Sequence, residues 1–200
     1  KGRILLNTRV QSVRRSKGGV TIKQRGGSKH FDAVVLATHA DQSLKLLSKP
    51  SAEERAVLSR FKYVKNSVVL HSDDSIMPRR KRAWAAWNYA GTTRQTKKKD
   101  VVSLTYDMNL LQHLDASVPL LVTLNPRKDL KKSLIFKTFS YEHPLYTVGT
   151  IVAQRKLATI QGKSGVYYAG SYFGYGFHED GIASGLAAAK LLGIKRPWSK

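Results

Sequence analysis

The segment from Gly165 to Gly193, GVYYAGSYFGYGFHEDGIASGLAAAKLLG, constrains the fold of this chain more than any other. It opens on a Val and Tyr run of strand character, turns at a Gly, crosses a glycine- and aromatic-rich stretch and enters a helix built mostly of Ala, Leu and Gly. The acidic pair Glu179–Asp180 suits a helix start and Gly193 a helix stop, so the spacing predicts a helix beginning at Glu179 or Asp180. A helix N-terminus presents unpaired N–H groups and about half a positive charge, which favours anionic or electron-rich ligand atoms. Glycines at 170, 174, 176 and 181 let the backbone come close to such a ligand. Gly181, Ala183, Ser184, Gly185, Ala187, Ala188 and Ala189 give a small-residue surface that suits a sheet or a flat ring. Tight helix–sheet packing accounts for the same residues, and pattern alone leaves both readings open.

The rest of the chain supplies the sheet. Ile4 to Val13 partly alternates, Val20 to Gln24 reads as a strand, and after a Gly-Gly turn Ala33 to Ala37 reads as a buried strand, together a small β-meander. HADQSLKLLSKPSAEERAVLSRF then predicts two helices parted at Pro50, the second opening on Ser51 and Glu54 in capping-box spacing. Strands are expected at 67–72, 83–90, 101–108, 120–125 and 133–144, with a short helix over 109–114. The order predicts an α/β (α+β) chain interrupted by a mainly antiparallel insertion. Residues 1–48 and 161–200 form one part and 49–160 the inserted sheet domain.

Composition narrows the partners. There is no cysteine, which removes disulfides, thiolate metal sites and a Cys nucleophile, and the six histidines lack ligand spacing, so no metal is expected. No apolar run is long enough to span a bilayer and no signal segment opens the sequence; the expectation is a soluble, cytoplasmic protein. The net charge of +22 would attract polyanions. Its basic residues, however, fall in separate short clusters at 13–19, 78–82 and 96–100, where turns are expected, and no zinc-finger, basic-zipper or RNA-recognition pattern accompanies them. They read as solvated turns, with no specific nucleic-acid partner and at most peripheral contact with an anionic membrane.

YYAGSYFGYGFHEDGIASGLAAAKLLG resembles the C-terminal flavin motif of the FAD-dependent amine oxidase and phytoene desaturase superfamily. With VVLATHADQSLKLL, SIMPRRKRAWAAWNY and LLVTLNP, it is similar to a branch of NAD/FAD-binding amine-oxidase-like proteins related to the N-terminal region of plant cyclopropane-fatty-acid synthases. The resemblance implies FAD as cofactor, two-electron oxidation or desaturation, and a small-molecule or acyl-lipid substrate. It places Val10 at the adenine ring through its strand backbone. Ala37 and Thr38 end the strand that closes the meander, and Gly170 and Ser171 meet the pyrophosphate and ribityl chain, Ser171 standing where many relatives have an acid. Glu179, Asp180 and Gly181 fall at the helix start beneath the flavin, and His178 at a position facing the substrate.

Each residue also has a plainer explanation. Val10 and Ala37 suit any strand, Asp180 suits a helix cap, a hydrogen-bonded structural role suits His178, and Trp84, Trp87 and Tyr89 suit either a substrate tunnel or a core. The GxGxxG turn that the family uses for the FAD diphosphate is absent, because KGGV, RGGS and YFGYGF do not follow a strand and open a helix at that spacing. The expectation is the C-terminal portion of a flavin-dependent oxidoreductase, inactive by itself. The competing readings are a non-catalytic remnant serving as an interaction module and a basic polyanion or membrane-surface binder.

Overall fold

In the computed structural model, which describes residues 2–91 and 102–194, the chain divides into two compact units, Lys1–Tyr63 with Pro144–Lys200 and Val64–His143. The fold is a mixed helix and sheet architecture, as expected from the order of segments. The basic cluster at 96–100 and the first residue of the strand expected at 101–108 lie outside the described residues.

The first unit begins with an antiparallel meander of β1 (Val10–Ser16), β2 (Gly19–Gln24) and β3 (Gly27–Phe31), in that order. Ile4–Leu6 was expected to start the strand but lies outside it, exposed: Asn7 takes a left-handed conformation and breaks the extended run before Val10. β3 was not expected, since GSKHF is exposed throughout and carries no apolar alternation; ladder pairing from Val20↔Phe31 to Gln24↔Gly27 holds it. β4 (Val34–Leu36) does not close the meander. It pairs in parallel with β10 (Val166–Tyr168), which follows it by more than a hundred residues.

α1 (Ala40–Leu46) and α2 (Ala52–Leu58) pack on this frame. Ser51 and Glu54 form the capping box read from the sequence, and the Glu54 carboxylate has two further partners, the Arg15 guanidinium and the Tyr168 hydroxyl. Burial pushes the Glu54 carboxyl up, but the bonds from Tyr168, Ser51 and Arg15 together hold it below its usual value. The residue thereby ties β1, α2 and β10 around a core of Val13, Val20, Leu58, Phe61, Ile160 and Tyr168. α4 (Val148–Gln154) was not expected in the β-branched TVGTIV stretch; Thr147 and Thr150 cap each other's backbone and start it. α5 (His178–Leu191) begins one residue before the expected start. It stops in a Schellman turn, with Gly193 at positive φ, the Gly193 N–H on Lys190 C=O and the Ile194 N–H on Ala189 C=O, both 3.0 Å.

The second unit is a five-stranded sheet in the order β6-β7-β8-β5-β9. Its strands are β5 (Lys62–His71), β6 (Trp87–Tyr89), β7 (Leu104–Asp107), β8 (Leu121–Leu124) and β9 (Ile135–Leu145). The strand expected over 83–90 shrinks to β6, because residues 81–83 form a 3-10 turn fixed by the Trp84 indole N–H on Pro78 C=O at 2.8 Å. α3 (Met108–Gln112) is capped by Asp107, which accepts from Leu110 N–H, and ends at the left-handed His113. One face of this sheet buries a polar relay. Asp73 N–H donates to His71 Nδ1, so the proton of the neutral ring sits on Nε2 and donates to Thr123 Oγ1 at 2.7 Å, which lies 2.9 Å from Thr105 Oγ1. Burial holds the His71 pKa below its usual value, against a smaller upward pull from Asp73.

Candidate functional site

Parallel strands deliver their loops at the same end, and ligands of open α/β sheets sit outside those carboxyl ends. In the first unit the register Val166↔Val34 and Tyr168↔Leu36 does this for two pairs of candidate residues: Ala37–Thr38 leaves β4 where Gly170–Ser171 leaves β10. The pairing continues past the strands through Ala169 N–H to Leu36 C=O at 3.1 Å.

The loop after β10 is held from both sides. Ser184 on α5 accepts from Gly170 N–H at 2.9 Å, and its own hydroxyl reaches Gly181 C=O at 2.8 Å. Gln154 on α4 donates to the carbonyls of Tyr172 and Gly174. Asp180 resolves toward the cap: its Oδ2 accepts from Tyr175 N–H and Phe177 N–H, both at 2.9 Å. A side chain at position 174 would have no room, since a Cβ there would meet Asp180 Oδ1 at 2.1 Å. Gly174 is therefore a packing requirement of the Asp180 clamp. The α5 ladder starts with Gly181 N–H on Phe177 C=O, so the N–H groups of His178, Glu179 and Asp180 precede it. His178 and Glu179 are exposed, Gly181 is half-buried, and Tyr175 and Phe177 stand in solvent beside His178.

Val10 and Thr38 meet in a cavity of about 780 Å³ that Arg9, Gln11, Gln42, Lys45 and Leu46 also line. Gln42, Lys45 and Leu46 are three and four residues apart on α1 and share a face, a signal already present in the sequence as helical spacing. Gln11 follows Val10 on β1 and Arg9 immediately precedes the strand; neither had a signal of its own.

A second feature escaped sequence reasoning. His39 stacks on Tyr63 with centroids 4.2 Å apart, and the Tyr63 hydroxyl accepts from Ala40 N–H. Around it lie buried polar atoms without a hydrogen-bond partner: His39 Nδ1, Tyr146 Oη and Tyr172 Oη. Burial raises the Tyr146 phenol to about 12, helped by Asp180 and Tyr63. Burial and then Tyr63 raise Tyr172 as well, against a smaller opposing pull from Ser43. These phenols stay protonated across the physiological range and are donors, not bases.

Comparison with known proteins gives the class to which this fold belongs. The sequence matches the family model of flavin containing amine oxidoreductases over residues 1–131. The chain belongs to that family, whose cofactor is FAD. It is similar in structure to the conjugated-linoleic-acid-producing fatty acid isomerase from P. acnes, with a TM-score of 0.61, 14% identity and coverage of 94% of this chain and 47% of that one. It is similar to a putative protoporphyrinogen oxidase from Exiguobacterium sp. 255-15, with a TM-score of 0.60, 14% identity and coverage of 93% and 46%. Likewise it matches putrescine oxidase bound to putrescine, with a TM-score of 0.62, 13% identity and coverage of 94% and 49%. The chain thus spans about half the length of each of these structures. No curated protein matches the sequence. Among the described residues, no helix is long and apolar enough to cross a membrane.

Proposed function

We infer that this chain forms one wall of the FAD site of an oxidoreductase that oxidises or desaturates its substrate by two electrons. Family membership supports the flavin. The observation that carries the reading to particular residues is the cavity in which Val10 and Thr38, distant in sequence, line one space beside Arg9.

The residues present fit the cofactor on this side. The cavity offers strand backbone at Val10 for a flat base and a cation at Arg9, while the Thr38 hydroxyl is shared with Ser43 Oγ at 2.9 Å. With the Asp180 carboxylate committed to Tyr175 and Phe177, the early N–H groups of α5 remain for an electron-rich ring edge. Gly170 N–H is already taken by Ser184, so in this reading Gly170 and Ser171 contribute close backbone approach rather than a free donor. FAD, when bound, supplies the two-electron acceptor. The protein contributes placement, with Lys1–Tyr63 and Pro144–Lys200 holding the flavin and Val64–His143 meeting the substrate. His178 stands at the helix start as the group that meets substrate. An acyl substrate is favoured over a small amine by the resemblance to the cyclopropane-synthase branch and by the likeness to a protein named as a fatty acid isomerase.

Titration with FAD and with ADP, read by flavin fluorescence and by calorimetry, tests this reading. Both ligands are expected to bind, and Val10→Arg, which fills the cavity, is expected to weaken both by about tenfold or more. Absence of binding, or binding that Val10→Arg leaves unchanged, overturns it.

A further inference from the structure

A helix whose N-cap supplies no side chain needs another acceptor for its first N–H groups. α1 is such a helix: its N-cap is His39, which makes no side-chain cap bond. The acceptor comes from a residue 23 positions further along the chain. The Tyr63 hydroxyl takes the Ala40 N–H at 3.1 Å, and the Tyr63 ring stacks on His39 with 5° between the planes. The backbone that delivers Thr38 to the cavity is thus fixed from outside its own segment.

The same residue borders the loop after β10. Tyr63 packs on the core that holds Tyr172, and its phenol is among the groups that raise both Tyr146 and Tyr172. Those two side chains lie against glycines of that loop: a Cβ at Gly170 would meet the Tyr172 ring at 2.6 Å, and one at Gly176 would meet Tyr146 Oη at 3.0 Å. A second link runs beside the first, since Thr38 Oγ1 lies 2.9 Å from Ser43 Oγ, and Ser43 acts on the Tyr172 phenol. Tyr146 Oη and Tyr172 Oη are buried without a hydrogen-bond partner, whereas Tyr63 uses its oxygen on main chain. Buried hydroxyls that go unpaired cost stability and persist where another demand shapes their surroundings. A phenylalanine at position 63 would fill the same space and stack on the same imidazole, so what the oxygen adds is the bond to Ala40.

We propose, resting on the flavin reading, that Tyr63 is a positioning residue that sets the loop after β4 and the loop after β10 relative to each other, and so the two sides of the flavin site. The hydroxyl holds Ala40, the ring face holds His39, and the two phenols beside it stand against Gly170 and Gly176. A ligand that spans both loops is therefore met by backbone fixed at one point. Tyr63 itself reaches the ligand through neither its ring nor its oxygen, since both are spent on His39 and Ala40. Capping alone would confine the effect of the hydroxyl to the first turn of α1. Ordinary core packing would make any comparable loss in the same core act alike.

Tyr63→Phe in the full chain tests this, with Ile160→Val as a change in the same core but outside both loops. Two readouts are taken: amide hydrogen exchange without ligand, and calorimetric titration with FAD and with ADP. In Tyr63→Phe the amides of residues 39–41 and 171–177 are expected to exchange about threefold to tenfold faster together, and both ligands to bind about fivefold or more weakly. Ile160→Val, which lowers stability by a small cavity, is expected to leave loop exchange and affinity as in the parent. Faster exchange confined to residues 39–41 gives the hydroxyl a capping role only and overturns the proposal. So does parent-like affinity for FAD in Tyr63→Phe, or the same changes in Ile160→Val. A parent chain that binds neither ADP nor FAD counts against the flavin reading alone, and joint or separate acceleration of the two loops then decides whether Tyr63 couples them.

Discussion

The two units solve the problem of burial differently. The first encloses aliphatic and aromatic side chains around one charged node, Glu54 with Arg15 and Tyr168. The second encloses a hydrogen-bonded relay of His71, Thr123 and Thr105 beside Leu121 and Val69, and leaves Trp87 and Tyr89 exposed. An apolar core tolerates no cavity, and a polar core tolerates no missing partner. Each unit therefore has its own weak point, and acid finds them at different pH. Glu54, held below its usual value, contributes stability that is present above the unfolded-state value near 4.5 and is lost as pH falls through its folded value. His71, also shifted down, is neutral when folded, so stability is complete above the unfolded value near 6.5 and declines as pH falls below it.

The largest expected effects break the first unit. Phe61→Ala, at a position 1% exposed, should lower its unfolding free energy by about 3–5 kcal/mol in a denaturant titration. Glu54→Ala should cost about 3 kcal/mol or more, since Arg15 and Tyr168 lose their shared acceptor. An intermediate effect belongs to the second unit: Thr123→Val interrupts the relay and should cost about 1–3 kcal/mol, with faster hydrogen exchange confined to β7 and β8. Exchange measured at pH 5.5 against pH 7.5 should show the second unit opening while the first keeps its protection; equal loss in both units would contradict the assignment of the acid-sensitive group to His71. The smallest effect sharpens the contrast between two buried phenols. Tyr172→Phe should be neutral or slightly stabilising because its hydroxyl has no partner, whereas Tyr168→Phe should cost about 1.5–3 kcal/mol for a bond to a charged acceptor.

Where the sequence is locally self-consistent, it can be read. Ser51 and Glu54 announced α2, and the acidic start and Gly193 announced α5, because a cap is a short-range contract between residues three or four apart. β3 was invisible because its residues are exposed and only ladder bonds hold them, and α4 because Thr147 overrides a β-branched run. Of the site, Val10 and Thr38 were legible as a pair only through family likeness; that they line one cavity depends on how the meander and α1 lie together, which no local pattern encodes. The Tyr63, Tyr146 and Tyr172 group draws its members from three distant segments and left no trace in spacing.

Amide hydrogen exchange with and without FAD tests the central claim most directly. The cofactor is expected to protect the amides of residues 9–11, 38–42 and 178–180 together, while the amides of β7 and β8 stay as they were. Protection confined to other segments, or no protection at saturating FAD, would contradict the assignment of these residues to a flavin site.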